Sequence, residues 1–102
     1  MIIERVTFKL KFGKAREAIT LWKELLEEAK KSNKTIPHMR ILSDLSGPSY
    51  TLQMEMHLKS FMDIGPAQYE WMTNEKFKDL YQQIIPLCES ASKDYFRIEA
   101  EV

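Results

Sequence analysis

The chain has 102 residues, which is enough for one domain and too few for two independent cores. Hydrophobic residues make up 44% and charged residues 29%, a composition that excludes an intrinsically disordered protein and favours a globular one. The 15 basic and 15 acidic residues cancel, so the chain has no general attraction for nucleic acid or an anionic membrane. We therefore expect neither of these as a partner.

Cysteine usage and hydropathy predict the compartment. The lone Cys88 cannot form an internal disulfide, which favours a reducing environment, and its apolar helical context predicts a buried structural thiol. The segment Met1–Arg5 carries charge where a signal peptide has its apolar stretch. No apolar run reaches the roughly 20 residues that span a bilayer. We expect a cytoplasmic protein.

The first third of the chain predicts a strand followed by an amphipathic helix. Apolar and polar residues alternate from about Ile2 to Lys11, as in a strand that buries one face, and Gly13 allows the chain to turn away. A helix is expected from about Lys14 to Ser32, because apolar residues at helical spacing form a stripe that includes Trp22. The alternating apolar set is Val6, Phe8, Leu10 and Phe12.

The middle of the chain predicts a β-hairpin. After a return loop at 33–37, strand two is expected at about His38 to Leu45, followed by a turn over Ser46–Ser49. Strand three, Tyr50 to Leu58, alternates strictly between an apolar and a polar face. The apolar face of strand two is expected to hold Met39, Ile41 and Leu45. The polar face of strand three holds Thr51, Gln53, Glu55 and His57.

The last third predicts a broken helical region and a final strand. Gly65-Pro66 interrupts the helical pattern, so a short helix is expected over Ala67–Met72 and a longer one from about Glu75 toward Glu89, kinked at Pro86. Strand four is expected at Tyr95 to Glu101. Its core face would hold Phe96, Ile98 and Ala100, and its polar face Tyr95, Arg97 and Glu99.

The element order β-α-β-β-α-β predicts an α+β domain with the ferredoxin-like sandwich fold. We expect a four-stranded antiparallel sheet in the order 4-1-3-2, with strands one and three running parallel in the middle and both helices on one face. The opposite face then collects polar side chains from the two central strands: Arg5, Thr7, Lys9, Gln53, Glu55 and His57.

The polar face offers candidate site residues without a complete motif. RNA-binding sheets of this shape need aromatic rings on the two central strands, and these positions have no ring besides the imidazole of His57. His57, with Glu55 and Arg5 nearby, could exchange a proton with a ligand, or it could simply complete a hydrogen bond near a strand end. We expect His38 to be incidental. Since no metal-ligand spacing occurs, we expect no metal ion.

Two aromatic residues of the broken helical region have two readings. Tyr69 and Trp71 could line the mouth of a pocket, or they could pack on the sheet or across an interface.

The sequence resembles NIPSNAP-like domains over nearly its whole length. The stretch Ile2–Lys14 and the following Leu21-Trp22 resemble their start, and Asn74–Tyr81, Ile85–Leu87 and Tyr95–Arg97 resemble their second half. These domains are part of the dimeric α+β barrel superfamily, which includes antibiotic-biosynthesis-type monooxygenases. The resemblance implies a homodimer in which two sheets face each other and enclose a cleft. The residues it places in that cleft are Arg5, Glu55, His57 and Arg97.

The resemblance leaves the activity open, because the fold is shared by cofactor-free oxygenases, isomerases and haem-handling enzymes. Haem-degrading relatives use an asparagine on strand one, a tryptophan, and a histidine ligand in the second helical region. Trp71 is a possible match for the tryptophan, but strand one has Thr7 and residues 59–92 contain no histidine. We therefore expect no haem and no other cofactor.

These observations predict a homodimeric α+β barrel protein that binds a small, partly apolar molecule in the cleft. The ligand would lie between the polar sheet face and the Tyr69–Trp71 segment. The alternative is a cofactor-independent monooxygenase or isomerase acting on a small organic substrate. A closed pocket beside His57 would favour the enzyme, and mutual pairing of the polar residues would favour binding or a structural role. The candidate ligand-binding residues are Arg5, Glu55, His57, Tyr69, Trp71 and Arg97.

Overall fold

The predicted order of strands and helices is confirmed. A computed structural model of the chain describes residues 1–31, 37–60 and 74–102. The short helix expected over Ala67–Met72, and with it Tyr69 and Trp71, lies outside the described residues, as does most of the return loop. The elements are β1 (Ile2–Leu10), α1 (Ala15–Lys31), β2 (Met39–Ser43), β3 (Thr51–Leu58), α2 (Glu75–Ile84), a 3₁₀ turn (Ile85–Leu87) and β4 (Cys88–Arg97).

The strands form one antiparallel sheet in the order β2-β3-β1-β4, which is the predicted order counted from the other edge. β1 is antiparallel to both β3 and β4, so the prediction that strands one and three run parallel is wrong. The reason lies in the connections. The crossover through α1 makes β2 parallel to β1, and the hairpin between β2 and β3 then reverses the direction of β3.

The core lies between the sheet and the two helices. Alternate residues of β1 and β3 point toward α1 and α2, and Trp22 of α1 is only 3% exposed. Its indole packs against the rings of Phe8 and Tyr81, with centroid distances of 5.5 and 6.2 Å. Burying one large side chain stabilises a fold by about 1.5–3 kcal/mol, so the apolar stripe of each helix dominates the packing energy. Neither described helix is long and apolar enough to cross a membrane.

The second helix begins and ends at recognisable residues. Asn74 caps its start, where the side-chain Oδ1 accepts hydrogen bonds from the backbone N–H groups of Lys76 (2.8 Å) and Phe77 (3.2 Å). Its α-helical part ends at Ile84 instead of continuing toward Glu89. Pro86 falls in the following 3₁₀ turn, because proline cannot donate the next backbone hydrogen bond of an α-helix.

The fourth strand differs most from its prediction. It begins at Cys88 instead of Tyr95, and it pairs with β1 along its whole length, from Cys88 opposite Leu10 to Arg97 opposite Ile2. Residues 89–94 are exposed because β4 is an edge strand, and all of them except Ala91 are polar. A strand of this kind has no alternating apolar pattern, which is why the sequence did not indicate it.

The two faces of β4 are also the reverse of those predicted. Tyr95 is opposite the buried Glu4, so Tyr95 and Arg97 lie on the helix-covered face. Phe96 is opposite Ile3 and lies on the other face. Alternate residues of a strand point to opposite sides, so a shift of one residue exchanges the two sets.

Two other apolar residues, Phe12 and Leu45, lie outside the strands whose apolar faces were expected to hold them. Phe12 and Leu45 follow the ends of β1 and β2, and both are exposed. The ring of Phe12 packs on Tyr50 at a centroid distance of 5.2 Å. The prediction that Phe12 joins the core is therefore wrong, as is the prediction that Leu45 belongs to strand two.

Candidate functional site

The polar face of the sheet is organised around one carboxylate. We call the side of the sheet turned away from the helices the open face. Glu55 of β3 lies there between two arginines, because it is opposite Arg5 of β1 and Arg40 of β2. Arg5 Nε donates to Glu55 Oε2 at 2.7 Å, and Arg40 Nε donates to Oε1 at 2.6 Å. These three residues form the arginine–glutamate cluster.

The environment of Glu55 keeps its carboxylate ionised. The residue is fully buried, at 0% exposure, and burial alone would raise its pKa. Hydrogen bonds from Arg40 and Arg5, together with their charges, outweigh burial and hold the pKa of Glu55 below its ordinary range. Both carboxylate oxygens are engaged by guanidinium groups. Glu55 is therefore suited to fixing the sheet rather than to accepting a proton from a ligand.

Sequence reasoning missed Arg40, although a signal for it was present. Arg40 alternates with Met39 and Ile41 on strand two, which places it on the open face. The register of the hairpin, which sets Arg40 opposite Glu55, could not be read from the turn.

His57 lies at one end of the open face, opposite Ile3. The ring of His38 meets it edge to face, with centroids 5.0 Å apart, and the His57 backbone N–H donates to the His38 carbonyl at 2.9 Å. His38, expected to be incidental, is thus a direct neighbour of the candidate residue.

The remaining predicted site residues do not all join this face. The guanidinium of Arg5 lies 5.0 Å from the centroid of the Phe96 ring, which is 47% exposed. Arg97 belongs to the opposite face, where it is the partner of Ile2, and its guanidinium lies 3.8 Å from Glu99. The expectation that Arg97 shares a face with Arg5 is therefore wrong. Tyr69 and Trp71 lie outside the described residues.

A cavity of about 520 Å³ lies on the other side of the sheet, between the strands and the two helices. We call it the helix–sheet cavity. It was not predicted, because it depends on how far the helices stand from the sheet. Its buried lining is mostly apolar and comes from β1, β3, α1 and α2: Val6, Phe8, Trp22, Leu25, Met54 and Phe77.

The polar groups of the helix–sheet cavity are few and come from different elements. Glu4 of β1 lines it at 2% exposure, and its Oε1 lies 4.0 Å from Lys93 Nζ of β4. Lys78, Tyr81 and Gln82 of α2 line it with exposed side chains. Glu4 was recognisable in the sequence as the one charged residue among the apolar residues on that face of strand one. It was not singled out as a candidate site residue.

Two further groups with polar or nucleophilic chemistry are the buried indole of Trp22 and the half-buried thiol of Cys88. The indole Nε1 of Trp22 is buried and has no hydrogen-bond partner within the described part of the chain. The Cys88 thiol is half-buried and donates weakly to the carbonyl of Ile84, at 3.6 Å. Burial raises the pKa of Cys88, although the charge of Lys11 acts in the other direction. The thiol therefore stays protonated, as the structural reading of Cys88 requires.

The sheet order and the single helical layer define an α+β domain of the ferredoxin-like type. The same fold is found in NIPSNAP domain proteins and in antibiotic biosynthesis monooxygenases. An uncharacterised NIPSNAP domain protein from Burkholderia xenovorans is 14% identical, with a TM-score of 0.80 over 98% of this chain and 96% of its own.

Two further structures extend the likeness. A NIPSNAP family protein of unknown function from Agrobacterium tumefaciens is 19% identical, with a TM-score of 0.77 over 94% of this chain and 86% of its own. An antibiotic biosynthesis monooxygenase is 13% identical, with a TM-score of 0.71 over 98% of this chain and all of its own. No protein-family model and no curated protein matches the sequence. At these identities the likeness is one of fold.

Proposed function

We propose that the chain forms a homodimer and that each protomer binds a small, largely apolar molecule in the helix–sheet cavity. The observation that carries this proposal is the cavity itself, whose volume of about 520 Å³ and apolar lining are typical of a small-molecule site. Ligand pockets usually measure about 300–1,000 Å³ and have a few polar groups at defined positions.

The composition of the open face supports the homodimer. Phe96 is half exposed there, and Glu55 forms ion pairs with both Arg5 and Arg40, so covering this face leaves the buried carboxylate paired. Two such faces can pack sheet against sheet. A domain of 102 residues also has a small core of its own. In this proposal Arg5, Glu55 and His57 line the interior of the barrel.

The position of the ligand is revised relative to the sequence-based expectation. That expectation placed the ligand between the open face and the Tyr69–Trp71 segment. On the open face, however, Arg5, Arg40 and Glu55 bind one another, as expected for a structural role. The large cavity lies on the helix side of the sheet and is lined by Glu4, not by Glu55. We therefore assign the open face to the subunit interface and the helix–sheet cavity to the ligand.

Binding of the neutral fluorophore N-phenyl-1-naphthylamine tests the ligand site. We expect a saturable rise in its fluorescence with the wild-type protein. Leu26→Trp should weaken binding by about tenfold or more, because Leu26 lines the cavity and the larger ring fills it. Leu21→Trp is the matched control, since Leu21 is a half-buried leucine of the same helix that does not line the cavity. Absence of saturable binding, or equal binding by the two variants, would contradict the proposal.

The buried carboxylate of Glu4 favours a second candidate function, a cofactor-independent monooxygenase or isomerase. A carboxylate beside an apolar cavity can accept a proton from a bound organic molecule. The structural neighbour described as an antibiotic biosynthesis monooxygenase has the same fold. Mass analysis of the molecule that co-purifies with the protein separates the two functions. A binding protein leaves its ligand unchanged in air, whereas an enzyme converts it.

A further inference from the structure

The charged and hydrogen-bonding groups at the edge of the helix–sheet cavity narrow the class of its ligand. Among the described residues that line the cavity, the exposed polar ones are Lys78, Tyr81 and Gln82 of α2 and Lys93 of β4. Lysine is purely a hydrogen-bond donor, and tyrosine and glutamine can also donate. The edge of the cavity is therefore rich in donors and positively charged.

The two lysines come from different layers of the fold. Lys78 projects from the helical layer and Lys93 from the edge strand of the sheet, and both side chains are exposed. The interior beyond them is apolar, apart from Glu4. A ligand whose tail enters this interior therefore leaves its head group at the edge, which the two exposed lysines line.

Glu4 does not cancel this field. Its Oε1 lies 4.0 Å from Lys93 Nζ, the distance of a weak ion pair, and it contributes one negative charge against two positive ones. Glu4 is also buried, whereas Lys78 and Lys93 are exposed, so the lysines are the charged groups that a solvent-exposed head group can reach. An anionic group that stays at the edge meets the lysines first.

We propose that the ligand is an anionic amphiphile, a carboxylate on an apolar tail, with the carboxylate at Lys78 and Lys93 and the tail in the helix–sheet cavity. This inference rests on the proposed ligand-binding function and adds the charge of the ligand to it.

Displacement of bound N-phenyl-1-naphthylamine by three ten-carbon compounds tests the inference. Decanoate, decylammonium and decan-1-ol each have ten carbons, but the alkyl tail of decanoate is one methylene shorter. The apolar contribution therefore slightly disfavours decanoate, and any preference for it comes from the head group. We expect decanoate to displace the fluorophore at about tenfold lower concentration than decylammonium, since two partly exposed charge contacts change sign between them. Lys78→Glu should weaken decanoate binding several-fold and leave decan-1-ol unchanged.

Lys23→Glu is the control for overall charge, because Lys23 is an exposed residue of α1 that does not line the cavity. Equal displacement by decanoate and decylammonium, or equal effects of Lys78→Glu and Lys23→Glu on decanoate, would overturn the inference and leave the proposed function intact. Failure of N-phenyl-1-naphthylamine to bind the wild-type protein would overturn the proposed function, and this inference with it.

Discussion

Trp22→Ala is expected to lower the free energy of unfolding by about 3–5 kcal/mol, the usual cost of truncating a buried tryptophan. Trp22 is 3% exposed and joins the strand ring of Phe8 to the helix ring of Tyr81. Its removal therefore takes contacts from both layers of the core at once. Urea denaturation, followed by circular dichroism at neutral pH, measures the change.

Two further substitutions are the controls for Trp22→Ala. Trp22→Phe should cost much less, because it keeps a ring in the core and removes an indole N–H that donates to none of the described residues. Lys23→Ala, at the next and exposed position, should stay within about 0.5 kcal/mol of wild type. If Trp22→Ala unfolds at the wild-type midpoint, Trp22 does not hold the helical layer on the sheet.

The double substitution Arg5→Met and Arg40→Met is expected to cost about 3 kcal/mol at neutral pH. It leaves the fully buried Glu55 carboxylate without its two partners, and stranding a buried charge typically costs about 3–5 kcal/mol. The lower end of that range applies because the shorter side chains let water approach Glu55. Chemical denaturation provides the measurement.

The pH dependence of stability should reverse in this variant. In the wild-type protein the pKa of Glu55 is below its unfolded value of about 4.3, so the stabilisation is complete above that pH and is lost as the pH falls through the folded-state pKa. Without the arginines, burial raises the pKa of Glu55 above the unfolded value. The variant should then gain stability as the pH is lowered from 7 toward 4.

A triple variant isolates the buried charge. Adding Glu55→Leu to the two arginine substitutions should restore most of the lost stability, because well-packed apolar residues can replace a buried ion pair at little cost. It should also remove the contribution of residue 55 to the pH dependence. If the double and triple variants have equal stability at neutral pH, the two arginines do not stabilise the fold by compensating the buried Glu55 carboxylate.

The central part of the fold was predictable because its signals are local and periodic. The strict alternation of strand three assigned Glu55 and His57 to one face, and the register with β1 confirms it. The helical stripe likewise placed Trp22 in the core. These patterns depend only on the repeat of a strand or helix.

The fourth strand was not predictable, because it lacks a local periodic pattern of this kind. Residues 89–94 are exposed and, except for Ala91, polar, and backbone pairing with β1 holds them in a strand, which leaves no apolar pattern. The helix pattern also continued past Ile84, so the change from helix to strand near Pro86 depended on tertiary pairing. The predicted start of strand four at Tyr95 was therefore too late, and its two faces were assigned in reverse.

The candidate sites depend on relations between elements, which a single sequence conveys poorly. Arg40 could have been placed on the open face, but its contact with Glu55 required the register of the hairpin. Glu4 was visible as a charge in an apolar series, but its cavity requires the separation of the helices from the sheet. Arg40 fits the alternation of strand two, Glu4 interrupts that of strand one, and neither belongs to a motif.

In our proposal, a second copy of the chain covers one face of the sheet and a ligand-binding cavity lies on the other. Native mass spectrometry of the protein, purified without added ligand, tests this arrangement most directly. We expect a species of twice the 12.0 kDa chain mass that carries additional mass from a small molecule and releases it on collisional activation. Single chains without any added mass would contradict the account.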